Sequence, residues 1–189
     1  MGMPALPTTG WTVDMLDTLP DDGKRYEIID GELFVTPAPY LVHQMLAGEL
    51  YAQLRDYLRA NPVGRAFVAP ADVRAGDRTS VEPDVFVIPQ VKGPFPRIWS
   101  PLGTLLLAIE VLSPKTARVD RGRKRALYQR EGVQEYWIVD LDSRLVERWR
   151  PSAERPAIAR NRLEWNPEGA SEPLVIDLEA LFAEAEGQI

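Results

Sequence analysis

The stretch Leu105–Asp140 reads LLLAIEVLSPKTARVDRGRKRALYQREGVQEYWIVD, and it decides the fold. It opens on an apolar run that carries one acid, Glu110, near its end. Ser113-Pro114 breaks that run, and a basic segment follows from Lys115 to Arg130, with alanine, leucine and tyrosine interspersed. Gly132 closes the segment ahead of a second apolar run, Tyr136–Val139. The order predicts strand, break, helix, glycine cap, strand. A carboxylate inside a buried strand is costly unless something pairs with it or coordinates it, so Glu110 is the first residue to explain.

Upstream, Val81–Pro89 (VEPDVFVIP) predicts a strand with Val85 and Val87 on one face and Asp84, Phe86 and Ile88 on the other. Asp84 stands at its entry, directly after Pro83. A proline-rich loop, Gly93–Pro101, joins it to the strand in which Ala108, Glu110 and Leu112 share a face. Further back, Arg65–Val73 reads as a strand with a proline interruption, and Tyr40–Ala60 as a helix with an apolar stripe through Val42, Met45, Leu46, Leu50, Leu54, Tyr57 and Leu58. His43 and Glu49 lie at the edge of that stripe. Arg25–Thr36 alternates around Asp30-Gly31, a type I′ hairpin signal, and its acids Glu27 and Glu32 are expected to face solvent. Trp11–Leu19 reads as a short helix. Downstream, Arg144–Arg150 returns as a strand against Tyr136–Val139, Arg155–Trp165 extends the sheet, Leu174–Leu178 is a last strand and Glu179–Glu186 a terminal helix. The expected class is mixed α/β with one central sheet, an N-terminal β-hairpin and flanking α-helices. Its length of 189 residues suits a single domain, with a core over about 25–150 and a C-terminal extension over 151–189.

Composition narrows the chemistry. There is no cysteine and a single histidine, which excludes disulfides, thiolate metal sites and a histidine-rich zinc site. A metal here would be held by oxygen, which favours magnesium or manganese. Absence of cysteine fits a cytoplasmic location, the N-terminal MGMPALPTTGWT lacks the charged start and apolar core of a secretory signal, and no apolar run suggests a membrane span. The net charge is −6, yet Lys115–Arg130 holds seven basic residues against Asp120 alone, and no lysine or arginine follows Arg162. Such a patch on an acidic body can steer one surface onto phosphate, although a solvated helix face is the common alternative.

Two acids on neighbouring strands repel unless a cation sits between them, and a divalent ion there could polarise a phosphodiester. Asp120, Lys124 and Tyr128 recur at helical spacing on the following segment and share a face. Together with Asp84 and Glu110 they compose a coherent site, whose bland alternative is a buried acid neutralised by a helix lysine.

The run EVLSP, then Asp120-x-x-x-Lys124-x-x-x-Tyr128, then GVQEYWIVD, with Pro83-Asp84, Tyr26-Glu27, Asp30-Gly31-Glu32 and His43, resembles the Uma-type restriction endonuclease family of the PD-(D/E)XK nuclease superfamily. The resemblance covers about residues 25–150. It implies a restriction-endonuclease-like core and magnesium- or manganese-dependent cleavage of nucleic acid, DNA foremost, by a homodimer. Asp84 and Glu110 match the motif's acids as catalytic and metal-binding residues, with the Val111 backbone carbonyl as a further metal ligand. Asp120, Tyr128, Glu32 and His43 match supporting positions, and Lys115, Arg118, Arg121, Arg123 and Arg125 would meet the nucleic acid. One departure stands out: Leu112 occupies the slot two residues after Glu110 where the motif has lysine, and Lys124 is the displaced catalytic candidate, ahead of Lys115. The alternative is a module of the same fold that binds nucleic acid or assembles without cutting.

Overall fold

The chain reverses first at Asp30 and Gly31, which both take positive φ (54° and 82°), the left-handed pair of a type I′ turn. This computed structural model describes residues 10–94 and 101–188. A 3-10 turn over Val13–Thr18 leads to β1 (Arg25–Ile29) and β2 (Glu32–Thr36), then α1 (Leu41–Ala60), β3 (Gly64–Val68), β4 (Val73–Arg74), β5 (Ser80–Val81) and β6 (Val85–Pro89). After a 3-10 turn at Leu102–Thr104 come β7 (Leu107–Val111), α2 (Ala117–Val119), a π-helical turn (Asp120–Lys124), α3 (Arg125–Arg130) and β8 (Glu135–Asp140). β9 (Leu145–Trp149), β10 (Ala157–Ala159), β11 (Arg162–Trp165), β12 (Leu174–Asp177) and α4 (Leu178–Ala185) complete the order. The proline-rich loop expected over 93–101 lies largely outside the described residues, and no described helix is long and apolar enough to cross a membrane.

The two apolar runs of the central stretch become neighbours. β7 and β8 pair in parallel, with Glu110 opposite Ile138, and a parallel pair needs a long crossover, which the helical run 117–130 supplies. They sit at the middle of a six-stranded sheet ordered β10-β9-β8-β7-β6-β3, whose other pairings are antiparallel. Period-two alternation divides the core between its faces. Val85, Val87, Leu107, Ile109, Trp137 and Val139 pack with Leu46, Leu50 and Leu54 of α1 and with Leu181 and Phe182 of α4. Phe86, Ile88, Ala108, Tyr136 and Ile138 pack on the opposite side with Leu127 and Tyr128 of α3 and with Ile29, Val73 and Val81. The three α1 leucines are fully buried, each worth about 1.5–3 kcal/mol of transfer free energy.

The central mixed sheet expected from the sequence is present as the six-stranded sheet, and two smaller sheets stand beside it among the described residues. The hairpin belongs to a separate four-stranded sheet, β2-β1-β5-β4, and β11 pairs only with β12. The stretch read as one strand over Arg65–Val73 splits between sheets, because Pro70 has no N–H to donate to a ladder. The consequence matters for the site: the small sheet lies over the face of the large sheet that carries Asp84 and Glu110.

Candidate active site

Asp84 stands immediately before β6, and Glu110 lies on the adjacent β7, one residue short of its end. Their pairing register, Val85 opposite Ile109, sets the two acids on the same face. Both are buried, 3% and 2% exposed, and both line a cavity of about 210 Å³ with Arg25, Glu27, His43, Val111, Lys115, Asp120 and Lys124. The floor is therefore sheet, one wall is the hairpin strand β1, and the other is the π turn.

That turn explains how one short helical run aims several side chains inward. The Arg125 amide donates to the Asp120 carbonyl across five residues, a widened turn of the kind that recurs at functional sites. The Tyr136 hydroxyl donates to the same carbonyl at 3.2 Å and anchors the turn to β8. Lys124 Nζ then lies 2.8 Å from both Glu110 Oε1 and Glu27 Oε1, and 4.0 Å from Asp120 Oδ1. The Tyr128 hydroxyl donates to Glu110 Oε1 at 2.9 Å. Both protein donors to Glu110 thus land on one oxygen, and Oε2 has none among the described residues. Asp120 Oδ1 is buried without a hydrogen-bond partner.

Asp84 is held more completely. Its Oδ2 accepts from the Val111 amide at 2.8 Å and from His43 Nε2 at 3.1 Å, while Oδ1 accepts from Arg25 Nη1 at 2.9 Å. Burial would raise its pKa, but the His43 hydrogen bond and the Arg25 charge prevail and bring it down to about 2. Glu110 goes the other way: burial raises it well above the ordinary value, and Asp84, Asp120 and Glu27 add to this against Lys124. Asp120 is likewise pushed up by burial, to about 6. Burial alone would lower Lys124, yet the charges of Glu110, Glu27 and Asp120 outweigh it and keep the ammonium protonated. Four buried carboxylates thus share one cavity in which, among the described residues, Arg25 and Lys124 are the lysine and arginine side chains that touch them, with His43 beside Asp84. Among the described residues no group of three or more histidine, aspartate or glutamate side chains is arranged to hold a metal by itself.

Of the residues expected from sequence, the structure brings Asp84, Glu110, Lys124, Val111, Asp120 and His43 to the cavity, with Tyr128 bonded to Glu110 behind it and Lys115 at its wall. Glu32, a supporting position by the resemblance, lies outside the cavity and faces solvent as the hairpin pattern predicts. At the start of β2, it pairs with Arg123 at 3.0 Å. Glu27 on the other strand of the hairpin, expected to face solvent, is buried in the site instead, because the helical run packs over β1. Arg25 was not anticipated either. The signal for both was present: Arg25, Glu27 and Ile29 form one face of a strand, and an acid on an apolar strand needs a partner here as much as Glu110 does. Leu112, in the motif's lysine slot, lines a neighbouring cavity with Arg121 and Asp140 rather than that of Glu110. The basic run is largely neutralised within the protein. Arg121 pairs with Asp140 and Glu147 at 2.7 and 2.6 Å, Arg123 with Glu32, and Arg125 stacks over Trp149 at 4.8 Å. Lys115 and Arg118 have no ion pair among the described residues.

A mixed sheet with an acid at one strand's entry, a second acid on the next strand and a lysine delivered from the crossover helix defines a restriction-endonuclease-like protein. Residues 13–181 match the family described as "Uma2: Putative restriction endonuclease", and the chain belongs to that family. Its fold is similar to the crystal structure of "a putative nuclease belonging to DUF820 from Anabaena variabilis ATCC 29413", with a TM-score of 0.75 and 24% sequence identity over 93% of this chain and 99% of that one. No curated protein matches the sequence.

Proposed function

We propose that the protein is a magnesium- or manganese-dependent endonuclease that hydrolyses phosphodiester bonds in nucleic acid, with duplex DNA as substrate and a homodimer as the working unit, since two strands need two sites. The observation that carries this reading is the imbalance in the cavity: among the described residues, four buried carboxylates are touched by one lysine and one arginine, and an Asp120 oxygen is left without a hydrogen-bond partner. A divalent ion would relieve that imbalance. The donors fit such an ion, since magnesium is commonly held by one or two carboxylates and completes its shell with water and substrate phosphate. Asp84 and Glu110 would hold it, and when bound it would polarise the phosphodiester and lower the pKa of an attacking water.

The chain's own residues supply the rest. Asp84, ionised at any physiological pH, is fixed by the Val111 amide and His43. Lys124 stays cationic, so its part is not to accept a proton but to offset negative charge developing on the phosphate. Glu27 positions Lys124 by holding its ammonium alongside Glu110. Glu110 Oε2, free of protein donors among the described residues, is the oxygen through which Glu110 would hold the ion.

A supercoiled-plasmid nicking assay tests the reading. Nicking is expected with magnesium or manganese, not with chelator, and not by Asp84→Ala. Cleavage that survives chelator or Asp84→Ala would sink it. DNA binding by the intact protein with no nicking would replace it with a binding module.

A further inference from the structure

We infer that Arg25 is a built-in competitor for the cation: it occupies Asp84 in the cation-free protein and moves onto Glu82 when a divalent ion binds. The inference rests on the cation-dependent reading of the cavity. Asp84 Oδ2 already has two partners, the Val111 amide and His43, whereas Oδ1 has Arg25 alone, so an ion ligated through Oδ1 would meet the guanidinium at close range. The Val111 amide is fixed in β7 and His43 in α1, whereas Arg25 reaches Asp84 Oδ1 at the end of a long, flexible side chain. A guanidinium left against the same carboxylate would also repel the arriving ion.

Arg25 has a second place to go. Its Nη1 already donates to the Glu82 carbonyl at 3.1 Å, and its Nε lies 3.7 Å from Glu82 Oε2, near but beyond hydrogen-bond distance. A small rotation would turn that loose approach into a full ion pair. Glu82 is half-buried beside Arg25, so the guanidinium can close on its carboxylate without leaving the cavity wall. The charge that leaves Asp84 therefore stays in the cavity wall, where it can meet the phosphate the substrate brings. Arg25 acts through Asp84 and Glu82 and is a positioning residue.

The experiment is manganese binding to the whole protein, read by electron paramagnetic resonance of the free ion, beside the rise in unfolding temperature on adding magnesium. Arg25→Gln is expected to bind manganese about tenfold more tightly than the unaltered protein, as loss of a like charge a few ångströms from a partly buried ion should do. Its magnesium-induced stabilisation should grow correspondingly. Arg25→Lys, which keeps a charge in the fold should the glutamine variant not fold, should fall between. Glu82→Gln, which removes the alternative partner, should bind more weakly. Equal or weaker manganese binding by Arg25→Gln and Arg25→Lys would overturn the inference and leave the cation reading standing. Manganese binding that Asp84→Asn does not reduce would overturn both.

Discussion

Two buried acids on adjacent strands of the same sheet, Glu110 on β7 and Glu135 on β8, have opposite surroundings. Glu135 accepts from Arg148 at 3.0 Å, from Arg150 at 3.2 Å and from the Trp137 indole at 2.9 Å. It has more cationic partners than it needs. Glu110 shares a single lysine with Glu27, stands near Asp84 and Asp120, and opens onto a cavity. Burial of a charge is common to both, so burial alone does not mark a site. What separates them is whether the protein completes the charge balance itself. At Glu135 it does, and the pair is structural. At Glu110 one lysine serves two acids, and burial with the neighbouring carboxylates holds its carboxyl well above the ordinary range.

The comparison breaks most directly at the two basic partners. Lys124→Ala should lower phosphodiester cleavage by about 10²–10⁴-fold, the range for removing one electrostatic partner of a transition state. Arg148→Ala should leave cleavage unchanged and cost only stability, about 1–3 kcal/mol, because Arg150 and Trp137 still hold Glu135. Lys124→Ala also strands two buried acids, so Glu27→Gln/Lys124→Ala, checked by circular dichroism, separates folding from chemistry. Equal cleavage by the lysine and arginine variants would erase the distinction.

A second effect is pH. Asp120 is raised from 3.8 to about 6, so the stability it contributes is fully present below pH 3.8 and is lost as pH rises through 6, on the order of 3 kcal/mol. Asp84 has the opposite sign: its contribution is present above pH 3.8 and lost as pH falls through about 2. Without divalent ions the unfolding temperature should therefore fall between pH 5 and pH 8, and fall less in Asp120→Asn. Magnesium should stabilise more at pH 8 than at pH 5. A cation-free protein equally stable at both would mean the acid excess is not felt.

The smallest effect concerns the surface. With Arg121 and Arg123 engaged by carboxylates and Arg125 stacked over Trp149, Lys115 and Arg118 are the cations of the run with neither an ion pair nor a ring contact among the described residues. Lys115→Glu/Arg118→Glu should flatten the salt dependence of DNA binding, by about 0.9 in log–log slope for each duplex phosphate that is no longer neutralised. Arg121→Glu should affect stability more than slope. The reverse pattern would restore the whole basic helix as the binding surface.

The legible part of the site was the part written along single strands and one helix. Asp84 after Pro83, Glu110 in its apolar run and Lys124 at helical spacing are each odd in their own segment, and the structure gathers them. At the hairpin, alternation marks Glu27 as an acid beside Arg25 and Ile29 on one strand face, but not that a helix about a hundred residues later covers that face; Lys124 meets Glu27 only through tertiary packing. The same limit applies to the basic run, where charge is visible in sequence but its partners, Asp140 and Glu147 for Arg121, are not. Strand order was legible at β7–β8, where two apolar runs flank a crossover. The division into separate sheets was not, because alternation says which side chains share a face and not which strands share a ladder.

The widened turn at Asp120–Lys124 has one more consequence. A π turn holds one residue more than an ordinary helical turn, a surplus absorbed locally so that the helix on either side keeps its phase. Gly122 lies in the middle of it, with nothing within 4 Å of where a Cβ would stand, so space does not require a glycine there. Excising that residue would let the run close into a plain α-helix with both ends still seated, and the helix would gain from the exchange. Asp120 and Lys124 would then stand three apart instead of four, and the lysine would approach its two acids from a different angle. The insertion is thus a spacer whose length tunes the aim of one ammonium group, carried at the expense of a better helix.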